Sequence, residues 1–211
     1  MKLYLNEISS AASRVRIALA LKGLAVETQS IGILGAHAES HHDDYLKINP
    51  QGLVPALLAE NGSLITQSLA IIEYLDELQP EPPLLPRGRI ERAAARSIAM
   101  AIASEIHALL TPRIGLHLAA TLGVDAQATA DWNRHWTAEG LGAVERLLAD
   151  NRRGAFAISN EPCIADIFLF PQAIGARRLG IDLERWPHIT DIIARLGTLP
   201  SFAENASAPR K

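Results

Sequence analysis

One cysteine, Cys163, occurs in 211 residues. An internal disulfide is therefore excluded, and the composition suits a reducing compartment. Neither sign of charge dominates: 20 Lys and Arg stand against 23 Asp and Glu, for a net charge of −3. Without a basic stripe there is nothing to attract a polyanion, so nucleic acid is not expected as a partner. No run of about 18 apolar residues occurs, and no membrane span is expected. The start is a lone Lys2 and a short strand rather than a leader with an apolar core, which reads as cytoplasmic. Internal repeats and low-complexity tracts are absent too.

What is present begins with a change of period. Lys2-Leu3-Tyr4-Leu5 alternates like a buried strand. After Ser10 the apolar residues fall at Val15, Leu19 and Leu21 with Arg14, Arg16 and Lys22 between them, a helix closed by Gly23. Ser9 and Ser10 thus sit where a strand ends and a helix begins. Either serine can simply cap the helix. The same place also offers hydroxyls, unpaired N–H groups and the positive end of the helix dipole to an anion or a thiolate.

Residues 25–31 fit a second strand parallel to the first. Residues 32–47 are irregular and carry His37, His41 and His42. His37 and His41 have the i,i+4 spacing of a helical metal pair, but no cysteine or further spaced ligand joins them, and no metal is expected. Asn49-Pro50-Gln51-Gly52-Leu53-Val54-Pro55 bends the chain ahead of a strand at 56–59, and Asn61-Gly62 marks a hairpin to 63–65. Gln67-Ser68 opens a helix over 69–78, with Ser68 as its expected cap. The order β-α-β-(α)-β-β-α, with a short helix allowed before the third strand, makes a small α/β domain over 1–80. The proline-rich segment that follows reads as a linker at 81–89. Beyond it, 90–211 reads as helical throughout, with stretches at 90–110, 126–149 and 164–179, a further one after Trp186-Pro187, and a frayed end from Ala206.

Ser9-Ser10-Ala11-Ala12-Ser13-Arg14-Val15-Arg16-Ile17-Ala18-Leu19 resembles the zeta-class glutathione transferase signature Ser-Ser-Cys-x-x-Arg-Val-Arg-Ile-Ala-Leu. Asn49 to Pro55, Gln67-Ser68-Leu69-Ala70-Ile71-Ile72-Glu73-Tyr74-Leu75, Ala165-Asp166-Ile167-Phe168-Leu169-Phe170-Pro171-Gln172 and the pair Arg177-Arg178 are similar to that class as well, in register along nearly the whole chain. The class includes the maleylacetoacetate and maleylpyruvate isomerases. The resemblance implies an α/β thioredoxin-like domain that binds glutathione, followed by an all-α domain, and a cis Val54–Pro55 bond. It implies a glutathione sulfur at Ser9, Ser10 and Ala11. The rest of the tripeptide would lie on His41, Val54, Pro55, Gln67 and Ser68, with His107 and Thr111 matching contacts from the helical domain. His107 also fits a plain helix-surface histidine. Arg113, Arg177 and Arg178 would face substrate carboxylates, with Ile8 beside the sulfur. A homodimer is implied as well, and the alanine-rich helix at 93–103 suits close helix packing.

Several positions depart from the signature. Ala11 stands for its cysteine, Ser13 for a tryptophan, Ile8 for the arginine that isomerases carry before the serine pair, and Leu110 and Thr111 for amide side chains. Cys163 occupies a helix-capping position three residues before Asp166 and reads as structural. Three functions stay open on this basis. One is glutathione-dependent cis–trans isomerisation of a dicarboxylic dienone. Another is conjugation or dehalogenation of a more apolar electrophile. A third is a binding module without catalysis.

Overall fold

The computed structural model describes residues 1–208 apart from Ala36. Its chain divides into two compact units, Met1–Pro83 together with the segment from Glu204, and Leu84–Ala203.

The first unit contains β1 (Lys2–Leu5), α1 (Ser10–Lys22), β2 (Glu27–Ser30), a 3-10 turn at Glu39–His41, α2 (Asp43–Leu46), β3 (Ala56–Leu58), β4 (Leu64–Thr66) and α3 (Ser68–Leu78). The sheet order is β2-β1-β3-β4. β2 runs parallel to β1, with Leu3 opposite Thr28, while β3 is antiparallel to β1 and β4. Successive side chains of β1 point to opposite faces. Leu3 and Leu5 are buried on one, and Tyr4 packs edge-on against Tyr45 of α2 on the other, with ring centroids 6.1 Å apart. Ile31, Val54 and Ala56 complete that second cluster, which lies under the Val54–Pro55 turn.

α1 departs from the amphipathic pattern its charges suggest. It is buried on almost every side, and Arg14 and Lys22 are only 1% and 2% exposed. The Lys22 ammonium pairs with the Asp76 carboxylate and donates to the Gln79 and Pro82 carbonyls, the Gln79 contact at 2.7 Å. It ties the C-terminus of α1 to that of α3, so this cation holds the two helices together. Gly23 ends α1 at φ +64°, the left-handed conformation expected there.

The C-terminal residues are not frayed where they can be described. Ser207 is buried, and Asn205, Ala206 and Ala208 hydrogen-bond to α1 and to the loop before it. These residues belong to the first unit, not the helical one in which the sequence places them. The reason is long-range partnering, which no local pattern reveals. Residues 209–211 lie outside the described part.

The second unit is helical. It comprises α4 (Arg89–Met100), a π-helical turn at Ala101–Ile106, a 3-10 turn at His107–Leu110, α5 (Pro112–Leu122), α6 (Ala126–Asn151), α7 (Ile164–Arg178), α8 (Pro187–Leu196) and α9 (Pro200–Ala203). By length and composition the stretch Arg89–Leu110 is apolar enough to cross a membrane, contrary to the reading from apolar runs alone. Its Ile98, Ala99, Ile102 and Ile106 are fully buried, and it packs against α6 and α7. Gly140 of α6 makes room for the wide turn: a Cβ there would lie 2.2 Å from Ile106 Cγ1. Pro112 is the first residue of α5, where its missing N–H costs nothing, and α5 falls between the helical stretches that the sequence marks.

α7 is the centre of this unit, with Ile167, Phe168 and Leu169 fully buried. Cys163 caps it in a reciprocal box. Asp166 Oδ2 accepts from the Cys163 N–H at 2.9 Å, and the Cys163 side chain accepts from the backbone of Asp166. Burial pushes the Cys163 thiol up, so it remains protonated and unreactive.

Candidate active site

Ser9 is the N-cap of α1, with extended backbone and 9% exposure. Its Oγ accepts from the Ala12 N–H at 3.2 Å, and its carbonyl accepts from the Ser13 N–H at 2.9 Å. That is the capping reading, and it holds. It uses one lone pair of the hydroxyl and leaves the O–H proton available for donation. The N–H groups of Ser10 and Ala11 have no partner among the described residues. One hydroxyl and two amides thus converge at the positive end of a helix dipole, an arrangement that stabilises an anion.

Ser9 is held from behind by Asn6, whose carbonyl accepts from the Ser9 N–H at 3.1 Å and whose side chain bonds the Ile8 N–H and the Ile31 carbonyl. Ile8 is half-buried in this loop.

The Val54–Pro55 peptide bond is cis, and so is Glu81–Pro82, which the sequence did not indicate. The Val54 turn is fixed through Leu53. Its carbonyl accepts from Tyr45 Oη at 2.8 Å and from Asn49 Nδ2 at 2.6 Å. Burial pushes the Tyr45 hydroxyl up to about 12, so it stays a donor at neutral pH. The N–H and carbonyl of Val54 have no partner among the described residues, leaving a one-residue strand edge for an extended peptide. His41 is exposed in the 3-10 turn and packs on Gly52, where a Cβ would meet His41 Cδ2 and the Ser40 carbonyl at 3.0 Å. Gly52 has φ +62°, so two constraints require glycine. His37 lies in a separate turn, and the helical spacing of a metal pair is not realised.

At α3 the cap is Gln67, not Ser68. Gln67 has φ +69°, the single non-glycine residue with positive φ among the described residues, and its Nε2 donates to Gln51 Oε1 at 2.8 Å. Backbone held in that region costs of order 1–3 kcal/mol and persists where the surroundings dictate it. The N–H groups of Ser68, Leu69 and Ala70 have no partner among the described residues. Ser68 Oγ accepts from Arg14 Nη1 at 3.4 Å. Burial lowers the Arg14 guanidinium to about 9, so it keeps its proton at neutral pH and places a cation beneath this second anion-accepting helix end. Arg14, Gln51, Tyr45 and Asn49 had not been singled out as functional. The available clue was Arg14, a charge on the face that also carries Ala11, Val15 and Ala18.

The helical unit carries the remaining residues. His107 opens the 3-10 turn and is half-buried. Thr111 is the N-cap residue of α5, but its hydroxyl turns back to the Ala108 carbonyl at 3.3 Å. Arg113 is exposed in the first turn of α5. Arg177 and Arg178 end α7, where cations are favoured by the helix dipole, and both are exposed.

The glutathione S-transferase N-terminal domain family matches residues 8–78, which span the Ser9 junction, the Val54 turn and α3. The maleylacetoacetate isomerase of Pseudomonas aeruginosa is 38% identical over 204 residues, covering 97% of this chain and 94% of that protein. A bacterial maleylpyruvate isomerase structure, a zeta-class glutathione S-transferase in holo form, superposes with a TM-score of 0.92 at 37% identity, covering 100% of this chain and 98% of that one. The chain belongs to the zeta-class glutathione transferases. A maleylacetoacetate isomerase from Methylobacterium extorquens AM1, solved with malonate and glutathione bound, superposes at a TM-score of 0.94 with 35% identity, over 100% of this chain and 98% of that one. Against the zeta-class signature, Ala11 is buried within α1 and leaves Ser9 and Ser10 as the side-chain donors at its start.

Proposed function

We propose that the chain is a glutathione-dependent isomerase that converts a maleylacetoacetate- or maleylpyruvate-like cis dienone into its trans form. The observation that carries this reading is the α1 N-terminus, where the Ser9 hydroxyl and the amides of Ser10 and Ala11 are open to a sulfur anion. When bound, glutathione supplies a thiolate that adds to the conjugated cis double bond, permits rotation about the resulting single bond, and leaves again.

The residues present fit that group. Val54 offers its N–H and carbonyl to an extended peptide backbone, and Pro55 with the Tyr45–Leu53 bond keeps that edge in place. The α3 N-terminus with Ser68 receives a carboxylate, with Gln67 beside it and the Arg14 charge behind. His41 is assigned to the other end of the tripeptide, and His107 and Thr111 to its contacts from the helical unit. The Ser9 O–H would donate a hydrogen bond to the sulfur while its lone pair caps the helix, stabilising the thiolate so that the thiol proton passes to solvent without a general base. Ser10 adds a second hydroxyl. Arg113, Arg177 and Arg178 are assigned to the substrate carboxylates, where planar guanidinium groups bind best.

Ile8 supports a second reading. With an apolar side chain where isomerases carry arginine, the enzyme would conjugate or dehalogenate a less charged electrophile and consume glutathione. The exposed stripe of Ile90, Ala93, Ser97 and Met100 on α4 supports a two-fold dimer, sedimenting at twice the 22.8 kDa of one chain. A 22.8 kDa species would contradict that.

Ultraviolet difference spectra of bound glutathione test the site. Wild-type protein should show thiolate absorbance at neutral pH, and the Ser9→Ala variant should lose most of it. Thiolate retained at full strength in the variant would move the role to Ser10 or the backbone. Failure of the wild-type protein to bind glutathione would refute the proposal and favour a binding module of another kind.

A further inference from the structure

The loop that delivers Ser9 is anchored from an unexpected direction. Among the described residues, four hydrogen bonds join residues 7–16 to residues 205–208, and an ion pair links Glu7 to Arg16. The Ala208 N–H donates to the Glu7 carbonyl at 2.8 Å. Ser13 Oγ donates to the Asn205 carbonyl at 2.6 Å. Arg16 Nη2 donates to the carbonyls of Asn205 and Ala206, both at 3.3 Å, while Nη1 of the same guanidinium pairs with the Glu7 carboxylate. Glu7 is thus gripped twice, by its backbone from the chain's end and by its side chain from α1. Ser9 lies two residues further on.

Apart from these contacts, the hydrogen bonds that hold the loop at Glu7 and Ile8 among the described residues are those of Asn6. The Ser9 hydroxyl must meet two demands at once, capping α1 and facing a ligand. Displacement of a donor by about 1 Å is enough to cost a large part of its effect. A segment about 190 residues away in sequence supplies the missing constraint.

We propose that the C-terminal segment 205–208 is a structural part of the thiol site, and that Arg16 is a positioning residue which, through Glu7 and the Asn205 and Ala206 carbonyls, holds the Ser9 junction in its donor geometry. This rests on the glutathione reading given above. Residues 205–208 would thus act on the thiol site of the thioredoxin-like unit through the loop that they hold.

The test compares the full chain with a version ending at Ala203, a control ending at Ala208, and the variants Arg16→Met and Arg16→Lys. Amide hydrogen exchange at Ser9, Ala12 and Ser13 reads the junction without glutathione. Steady-state kinetics read it with glutathione and maleylpyruvate. Ending at Ala203 and Arg16→Met should each raise exchange at these three amides and raise KM for glutathione about tenfold, with kcat changed less than threefold. Arg16→Lys should recover part of the loss, and ending at Ala208 should change nothing. Combining the Ala203 truncation with Arg16→Met should cost less than the sum of the two, because both remove the Arg16 bonds to the Asn205 and Ala206 carbonyls. Unchanged exchange and an unchanged KM in the Ala203 truncation would overturn the proposal. So would fully additive losses. Should the truncated chain fail to fold, Arg16→Met with its lysine rescue decides by the same readouts. If wild-type protein fails to bind glutathione yet the exchange pattern responds as described, the glutathione reading falls and the anchoring stands.

Discussion

The Ser9 oxygen can serve both the cap it makes and the role proposed for it, because a hydroxyl has separate donor and acceptor capacity. Its lone pair accepts from the Ala12 N–H, which stabilises the helix, and its proton is left for a ligand. Removing the oxygen therefore costs stability as well as chemistry. Ser9→Ala should destabilise the protein by about 1 kcal/mol in urea unfolding without ligand. Ser10→Ala, which removes no cap, should stay within about 0.5 kcal/mol. Equal effects would show that Ser9 does not cap α1 in solution. The same residue-scale reasoning explains what the sequence concealed. Arg14 and Lys22 look like a solvated face, because local spacing says nothing about whether a partner waits inside. Lys22 meets Asp76, Gln79 and Pro82 more than 50 residues away, and Arg14 meets Ser68.

Elements were legible where local chemistry ends them. Gly23 closing α1, Asn61-Gly62 between β3 and β4, and Cys163 ahead of Asp166 are short-range signals, and each stands where the pattern put it. The α3 boundary slipped by one residue because Gln67 adopts positive φ, which its type does not suggest. α5 lies inside the span read as helical but between its named stretches, because Pro112 opens a helix only two residues after the preceding one ends. Asp166 illustrates how much an element can rest on one group. Burial raises its carboxyl to about 6 from an ordinary 3.8, while the N–H groups of Cys163 and Ala157 pull it back down. A raised native pKa means that the folded state binds this proton more tightly than the unfolded chain. The associated stability is complete below about pH 4 and is lost as pH rises through 6, by up to about 3 kcal/mol. Urea unfolding of wild type and Asp166→Asn at these two extremes should show the wild type losing that amount relative to the variant on going to neutral pH. A constant difference, or one growing in the wild type's favour, would mean the carboxyl is not raised.

For the molecule as a whole, the thioredoxin-like unit holds the proposed thiol chemistry. The helical unit contributes the candidate cations Arg113, Arg177 and Arg178. The division was readable because a proline-rich segment interrupts two different periodicities. The return of the chain's end to the first unit was not readable, since hydrogen bonds such as that between Ser13 and Asn205 span 192 positions and leave no local trace. Ile8, Ala11 and Ser13 depart from the class signature, and only chemistry performed on a substrate separates isomerisation from conjugation. The decisive measurement follows maleylpyruvate conversion with glutathione supplied well below substrate concentration while free thiol is titrated. An isomerase gives many turnovers per glutathione with the thiol content unchanged. Conversion that stops once the glutathione is spent, or no conversion by protein that binds it, would rule isomerisation out.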